Sequence, residues 1–194
     1  WAIIGRIMPV AFGAIYALSG TIGPIIGQNH GARNYDRVRE AIGQSLIVTA
    51  LFTLLAWTFL AIFAGPLAST FRATGDAAEL VILFCRTLAP LFVFMGALFI
   101  SNAVFNTLGY AHYSTVLNWL RATIGTVPFV DAGAAMAGAK GVLTANMLGG
   151  VVFGIVAVAL AFRLVDRIAA TYAAMPPARP PTPARADAGD APPR

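Results

Sequence analysis

The side chains best suited to chemistry in this 194-residue chain are two histidines, a single cysteine and a few polar groups within apolar sequence. His30 and His112 lie in polar connectors, and neither has Cys or carboxylate neighbours at the spacing of a metal site. Cys85 lies in an apolar run, which predicts a small buried side chain. The sequence has no G-x-S-x-G nucleophile elbow and no paired carboxylates within an apolar run. We therefore predict no catalytic, metal-binding or cofactor-binding residue.

Amides and arginines within apolar sequence are the stronger candidates for function. Asn102 and Asn106 are four residues apart, so they share one helix face, and Asn118 and Arg121 belong to the following predicted helix. Because amides and charges in lipid need partners, these groups are expected to face the bundle interior. Two interpretations stay open for them: structural pairing between helices, or lining of a substrate cavity. Arg86 is expected either to snorkel to the membrane surface or to line a polar cavity.

Glycines recur every fourth residue in the stretch GPIIGQNHGARNYDRVRE, which begins at Gly23. It has neither the P-loop pattern nor the dinucleotide G-x-G-x-x-G pattern. The small-x-x-x-small spacing is instead typical of close packing between membrane helices. We predict a packing stripe that ends in a turn at the membrane border, formed by Gly23, Gly27, Gln28 and Gly31.

The elements that position these residues follow from composition. The chain is 58% hydrophobic and only 11% charged, and its mean hydropathy is +0.76, far more apolar than a soluble domain. Several uncharged runs exceed the roughly 20 residues that cross a bilayer as a helix. We predict an all-α integral membrane protein with five transmembrane helices, at residues 7–29, 41–64, 78–108, 113–130 and 141–162.

The distribution of basic residues predicts the orientation. Five arginines lie near span ends on the side of the first connector and the C-terminus, and three basic residues lie on the other side, which places the C-terminus in the cytoplasm. The formal charge of +5 is dispersed, so no nucleic-acid partner is predicted. Residues 169–194 are rich in proline and alanine and are predicted to be a disordered cytoplasmic tail.

Three segments in this order resemble the C-terminal lobe of the multidrug and toxic compound extrusion (MATE) family. The first is PVAFGAIYALSGTIGPIIGQNHGARNYDRVREAI, with its G-Q-x-x-G-A turn at residues 27–32. The second is NAVFNTLGYAHYSTVLNWLR, and the third is GAKGVLTANMLGG, which follows Pro128. The similarity covers about Arg6 to Arg167. It implies that residues 1–168 correspond to helices 8–12 of a twelve-helix, two-lobed transporter, and that the chain is part of a longer protein.

The resemblance also implies a function. Family members are secondary antiporters that export cationic or amphipathic compounds in exchange for protons or sodium ions by alternating access. The implied partners are the bilayer of a bacterial-type inner membrane, small cationic or amphipathic substrates and the N-terminal lobe of the same full-length protein. The family couples transport through membrane-embedded carboxylates, and the third predicted span has none beyond Glu79. The site for the coupling ion is therefore expected in the N-terminal lobe.

Three other functions stay open from the sequence. A related lipid-linked oligosaccharide flippase would need several basic residues in its cavity, and the spans supply only Arg86 and Arg121. A transport-incompetent membrane fragment is the second possibility, because half a cavity lacks its second wall. A membrane enzyme that uses His30 or His112 is the third.

Overall fold

The computed structural model describes residues 2–174, and their secondary structure is helical. The helices are α1 (Ala2–Ala11), α2 (Gly13–Gly31), α3 (Tyr35–Ile62), α4 (Ala64–Thr70), α5 (Asp76–Leu83), α6 (Phe92–Thr107), α7 (Ala111–Ala122) and α8 (Val127–Ala173). Between α5 and α6 the chain stays helical through a π-turn, Phe84–Leu88, and a 3₁₀ turn, Ala89–Leu91. No strand is present in this part of the chain, as predicted for an all-α protein.

The last helix reverses direction in its first third. Ala137 and Gly138 have non-helical dihedral angles, and Gly138 has a φ of 55°, which glycine adopts readily. The backbone segments before and after these two residues lie so close to each other that a Cβ added to Gly141 would overlap the carbonyl of Gly133. α8 is therefore two antiparallel arms, residues 127–136 and 139–173.

The described residues contain three helical segments of membrane length and a fourth, bent candidate, against the five spans predicted from the sequence. Tyr35–Ile62, Asp76–Thr107 and the 63-residue segment Ala111–Ala173 are each long and apolar enough to cross a membrane, and α1 with α2 forms a fourth candidate bent by 51°. At 1.5 Å per residue, 63 residues would extend about 95 Å, roughly three bilayer cores. Reversal at Gly138 divides this segment in two, which gives a bundle of five membrane-length arms.

The helices differ from the predicted spans and tail at several positions. The predicted span 7–29 is not one straight helix, since α1 and α2 meet at the bend beside Phe12. The predicted span 113–130 is interrupted between Ala122 and Val127. The tail predicted from residue 169 begins too early, because α8 continues to Ala173; residues 175–194 lie outside the described part of the chain.

α6 is the central helix, and it contacts α2, α3, α7 and α8. One end of the core packs Phe12 of the first bend on Phe92, with ring centroids 4.2 Å apart and nearly parallel planes. The other end packs Leu98, Val104 and Phe105 among side chains of α2, α3 and α8. Small residues allow the closest approach: a Cβ added to Gly154 of α8 would overlap the carbonyl oxygen of Phe94 and lie 2.9 Å from its Cβ.

We predict that Gly154→Ala destabilises the bundle, because the added methyl group meets rigid backbone on α6. Overpacking of this kind costs about 1–3 kcal/mol. Gly20→Ala is the matched control, since no atom lies within 4 Å of the added methyl group and alanine favours a helix by up to about 1 kcal/mol over glycine. Thermal unfolding in detergent, followed by circular dichroism, is expected to show a lower Tm for the first variant and an equal or higher Tm for the second. Equal melting of the two variants would contradict this packing.

Candidate functional site

Polar side chains between α6 and α7 form a continuous row, which we call the α6–α7 polar track: Asn102, Ser114, Asn118 and Arg121. The hydroxyl of Ser114 donates to Oδ1 of Asn102 at 2.9 Å. The amide of Asn118 donates to the backbone carbonyl of Ser114 at 2.8 Å. Residues 114, 118 and 121 share one helix face, so three of the four predicted cavity residues lie together.

Asn106 does not belong to this track. It lies one turn after Asn102 but its side chain is exposed, and its carbonyl accepts the amide of Gly109 at the end of α6. The exposed position follows from the helix ending there, because the chain turns away at Gly109, whose φ is 82°. Among the described residues only Asn102 is engaged between helices, and a cavity-lining role for Asn106 stays a prediction.

Arg121 lies near the middle of its span, since it is ten residues, or about 15 Å, beyond the start of α7 at Ala111. Its Nε atom is buried and has no hydrogen-bond partner among residues 2–174. A charged group at this depth is costly unless it is paired or lines a cavity. Arg121 thus has a buried nitrogen with unused hydrogen-bonding capacity among the described residues.

The helix break that follows Arg121 holds the backbone of this residue in place. α7 ends at Ala122, and the hydroxyl of Thr126 donates to the carbonyl of Arg121 at 2.7 Å. The break packs tightly on α8, because a Cβ added to Gly125 would overlap the ring of Phe153 and one added to Gly149 would overlap the carbonyl of Gly125. The backbone at Arg121 is therefore held by packing as well as by a hydrogen bond.

A second break, in the third membrane arm, was not predicted. Pro90 has no amide hydrogen, so the carbonyl of Arg86 four residues earlier cannot make its helical hydrogen bond. The indole Nε1 of Trp57 on α3 donates to this carbonyl at 3.0 Å. The Arg86 side chain itself is exposed on the bundle surface. Proline at this spacing was the available sequence signal, but its partner on α3 could not be found without the structure.

Two of the three glycines in the predicted packing stripe face a neighbouring helix. Added Cβ atoms on Gly23 and Gly27 would lie 3.3 and 3.4 Å from the side chain of Thr107 on α6, so these two glycines do face a neighbouring helix. Gly31 has no atom within 4 Å, which corrects its assignment to the packing stripe. It is the last residue of α2, and the carbonyl of Gln28 accepts the amide of Ala32 at 3.0 Å.

The connector after Gly31 closes α2 with a Schellman motif. The amide of Asn34 donates to the carbonyl of Asn29 at 2.8 Å, and the amide of Arg33 donates to the backbone carbonyl of His30 at 2.9 Å. This motif puts the residue at the turn in the left-handed region, and Arg33 occupies it with a φ of 55°. Asn34 then caps α3, because its side chain accepts the amide of Arg37 at 3.2 Å.

Aromatic residues tie this connector to the end of α8. The rings of Tyr35 and Tyr172 stack with centroids 5.8 Å apart, and the Tyr35 hydroxyl lies 3.1 Å from Nδ1 of His30. The guanidinium of Arg33 lies 5.0 Å from the centre of the Tyr172 ring. His30 is therefore part of a packed end of the bundle, and residues 2–174 hold no group of three His, Cys, Asp or Glu side chains suited to a metal ion.

Two ion pairs link distant elements at opposite ends of the bundle. Arg39 of α3 pairs with Asp166 of α8, and Lys140 of α8 pairs with Glu79 of α5. All four side chains are about half exposed, so screening by solvent leaves each pair little net effect on stability. They show which ends of the helices lie together: the α2–α3 connector with the end of α8, and the start of α5 with the reversal of α8.

Helices of membrane length with bends within them and polar side chains between them are features of a polytopic membrane protein. Comparison with known families agrees: the MatE family profile matches residues 1–130. The chain belongs to the MatE family, whose members are membrane transporters and not enzymes. The resemblance inferred from the sequence is thereby confirmed.

Two relatives illustrate the similarity. The chain is 30% identical to an FAD transporter of Shewanella oneidensis over 168 residues. This matched region covers 87% of this chain and 37% of that protein. It is also 32% identical over 149 residues to a protein of Pseudomonas savastanoi, described as an uncharacterized 21 kDa protein in the iaaL 5′ region. This matched region covers 76% of this chain and 48% of that protein. The chain thus spans less than half the length of either relative.

Solved structures show the same fold. The MATE transporter VcmN of Vibrio cholerae in its bent form superposes with a TM-score of 0.81 at 23% identity, over 89% of this chain and 39% of that one. A multidrug resistance MATE family transporter matches in its inward-facing conformation with a TM-score of 0.78 at 20% identity, over 86% of this chain and 39% of that one. The five-arm bundle is therefore a lobe-sized portion of a MATE fold.

We predict that Trp57→Phe destabilises the third arm, because it leaves the carbonyl of Arg86 without a donor in a membrane helix. An unsatisfied buried backbone group costs about 1–3 kcal/mol. Trp119→Phe serves as the matched control, since the Trp119 side chain is 69% exposed. Hydrogen exchange of the segment 84–92 in detergent is expected to increase in Trp57→Phe only. Unchanged exchange in that variant would mean that the indole contributes no needed hydrogen bond.

Proposed function

We propose that this chain forms the C-terminal lobe of a secondary active transporter, which exports cationic or amphipathic compounds in exchange for protons or sodium ions. Membership of the MatE family and the TM-score of 0.81 to a MATE transporter support this proposal. The name of the inward-facing relative describes a multidrug resistance transporter. Alternating access requires elements that rock or bend, and the 51° bend between α1 and α2 supplies one.

The single observation that carries the proposal is the α6–α7 polar track at mid-depth. Transporter substrate sites lie near the bilayer midplane beside interrupted helices, and Arg121 lies directly before the break at residues 123–126. A purely structural track would satisfy its own polar groups, as Ser114 does with Asn102. Arg121 retains a buried Nε without a partner in the described chain, which favours a role in the substrate cavity.

An anionic substrate of the FAD type is a second candidate. The relative from Shewanella oneidensis is named an FAD transporter, and FAD carries a pyrophosphate that arginine binds well. Arg86 and Arg121 lie within the membrane arms, whereas the carboxylates of residues 2–174 lie in the first two turns of α3, in the first turn of α5, within two turns of the reversal at Gly138, or near the end of α8. This distribution of charge favours an anion over a cation beside Arg121.

The distribution of charged residues also supports proposals about the site of the coupling ion and the location of the protein. We place the site for the coupling ion in the N-terminal lobe of the full-length protein, because the deep parts of the five arms carry no carboxylate within residues 2–174. We place the protein in the bacterial inner membrane, with the end of α8 and the α2–α3 connector in the cytoplasm. Arg33, Arg37, Arg39, Arg163 and Arg167 lie at that end, as the positive-inside rule requires.

Transport by the full-length protein in proteoliposomes tests the function. With an imposed proton or sodium gradient, we expect gradient-dependent movement of ethidium, of FAD, or of both. No movement of either solute under either gradient would contradict the proposed antiport. Residues 1–194 alone are expected to be inactive, because the second wall of the cavity belongs to the other lobe.

Arg121→Gln distinguishes the two substrate classes. If the arginine binds a phosphate, FAD transport is expected to fall at least tenfold through a raised KM, while ethidium transport is unchanged or improved. Arg86→Gln is the matched control, because it removes the same charge from an exposed position in a membrane arm. Equal effects of the two variants on FAD transport would show that Arg121 has no specific role in recognition.

A further inference from the structure

A second site candidate lies at the end of the bundle where the α2–α3 connector meets α8. A half-open pocket of about 310 Å³ separates the start of α7 from the last turns of α8. Its polar lining consists of one arginine, one threonine and three tyrosines, and its base is apolar. The lining residues are Tyr110, Tyr113, Leu164, Arg167, Ile168, Thr171 and Tyr172.

The aromatic walls of this pocket are held in place by packing outside it. Tyr172 stacks on Tyr35 at 5.8 Å, with the guanidinium of Arg33 at 5.0 Å from its ring centre. Tyr113 stacks on Phe105 with a centroid distance of 5.5 Å. A pocket with walls fixed in this way loses little entropy when it binds a ligand. It is therefore suited to recognition as well as to packing.

The charge around the pocket favours an anion. Arg39 pairs with Asp166, so the carboxylate that precedes Arg167 in the sequence already has a partner. Arg167 makes no ion pair with any residue of 2–174. An arginine beside tyrosine and threonine hydroxyls offers the donors that phosphate oxygens accept.

The position of the pocket favours a lipid over a free anion. It opens where α7 begins and α8 ends, at the border between the bilayer and water. Tyrosine is enriched at this depth of membrane proteins, and basic pockets between membrane helices bind anionic headgroups. Leu164 and Ile168 are largely buried and contribute a small apolar surface to the pocket. A soluble phosphate would use the arginine and hydroxyls but would gain nothing from this apolar surface.

We propose that the Tyr110–Tyr113–Arg167–Tyr172 pocket binds the phosphate headgroup of an anionic phospholipid, with Arg167 as the charged ligand. Binding there bridges the start of α7 and the end of α8. The site lies at the opposite end of α7 from Arg121 and is separate from the α6–α7 polar track. It is independent of which substrate the full-length protein transports.

Native mass spectrometry of the delipidated chain tests this proposal. The chain is titrated with phosphatidylglycerol, with phosphatidylcholine of the same acyl composition and with inorganic phosphate. We expect phosphatidylglycerol to bind at least fivefold more tightly than phosphatidylcholine, and millimolar phosphate not to displace it. Equal binding of the two lipids would overturn the proposal, and displacement by phosphate at millimolar concentration would show a site for free anions instead.

Arg163→Gln is the matched control for Arg167→Gln. Both remove one charge from the same exposed end of α8, but only Arg167 lines the pocket. Arg167→Gln is expected to remove most of the preference for phosphatidylglycerol, and Arg163→Gln to keep it. Equal losses would indicate general attraction to the surface and contradict a specific site. Circular dichroism of both variants, with helix content equal to that of the parent chain, ensures that a loss of binding is not a loss of fold.

Discussion

The constraint on which the rest of this structure depends is that lipid offers no hydrogen bonds to the backbone. A membrane helix can therefore be interrupted only where another part of the protein supplies a partner. The carbonyl of Arg86, freed by Pro90, accepts the indole of Trp57 from α3, and the carbonyl of Arg121 accepts the hydroxyl of Thr126. The break at Pro90 is therefore tied to a group that only the folded chain brings to it, whereas the break after Arg121 is closed by a residue five positions later.

The same constraint explains where the chain turns. At the connector end, the Schellman motif around Arg33 satisfies the last carbonyls of α2 with backbone amides. At the opposite end, α8 reverses at Gly138, and the pair of Lys140 with Glu79 lies nearby. The interruption at Pro90 depends on a side chain from another helix, and the connector after α2 is completed by local backbone groups.

Close packing and polar function are combined at the central helix. α6 contacts four other helices, and Gly154 allows α8 to approach its backbone. On its α7 side, Asn102 joins a track that ends at Arg121. The side facing α8 is tightly packed, while the side facing α7 is polar and lies next to the break at residues 123–126.

Much of this organisation was determined by the sequence alone, because it depends on local properties. Hydropathy over about 20 residues predicted five membrane arms and the all-α class, and the order of short motifs identified the family. The tertiary structure decided what depends on contacts between distant residues: that Gly23 and Gly27 pack on Thr107 and Gly31 does not, that Asn106 is exposed, and that Tyr172 stacks on Tyr35. The physical reason is that a residue's tendency to enter lipid is its own property, whereas its partner is chosen by the packing of the whole bundle.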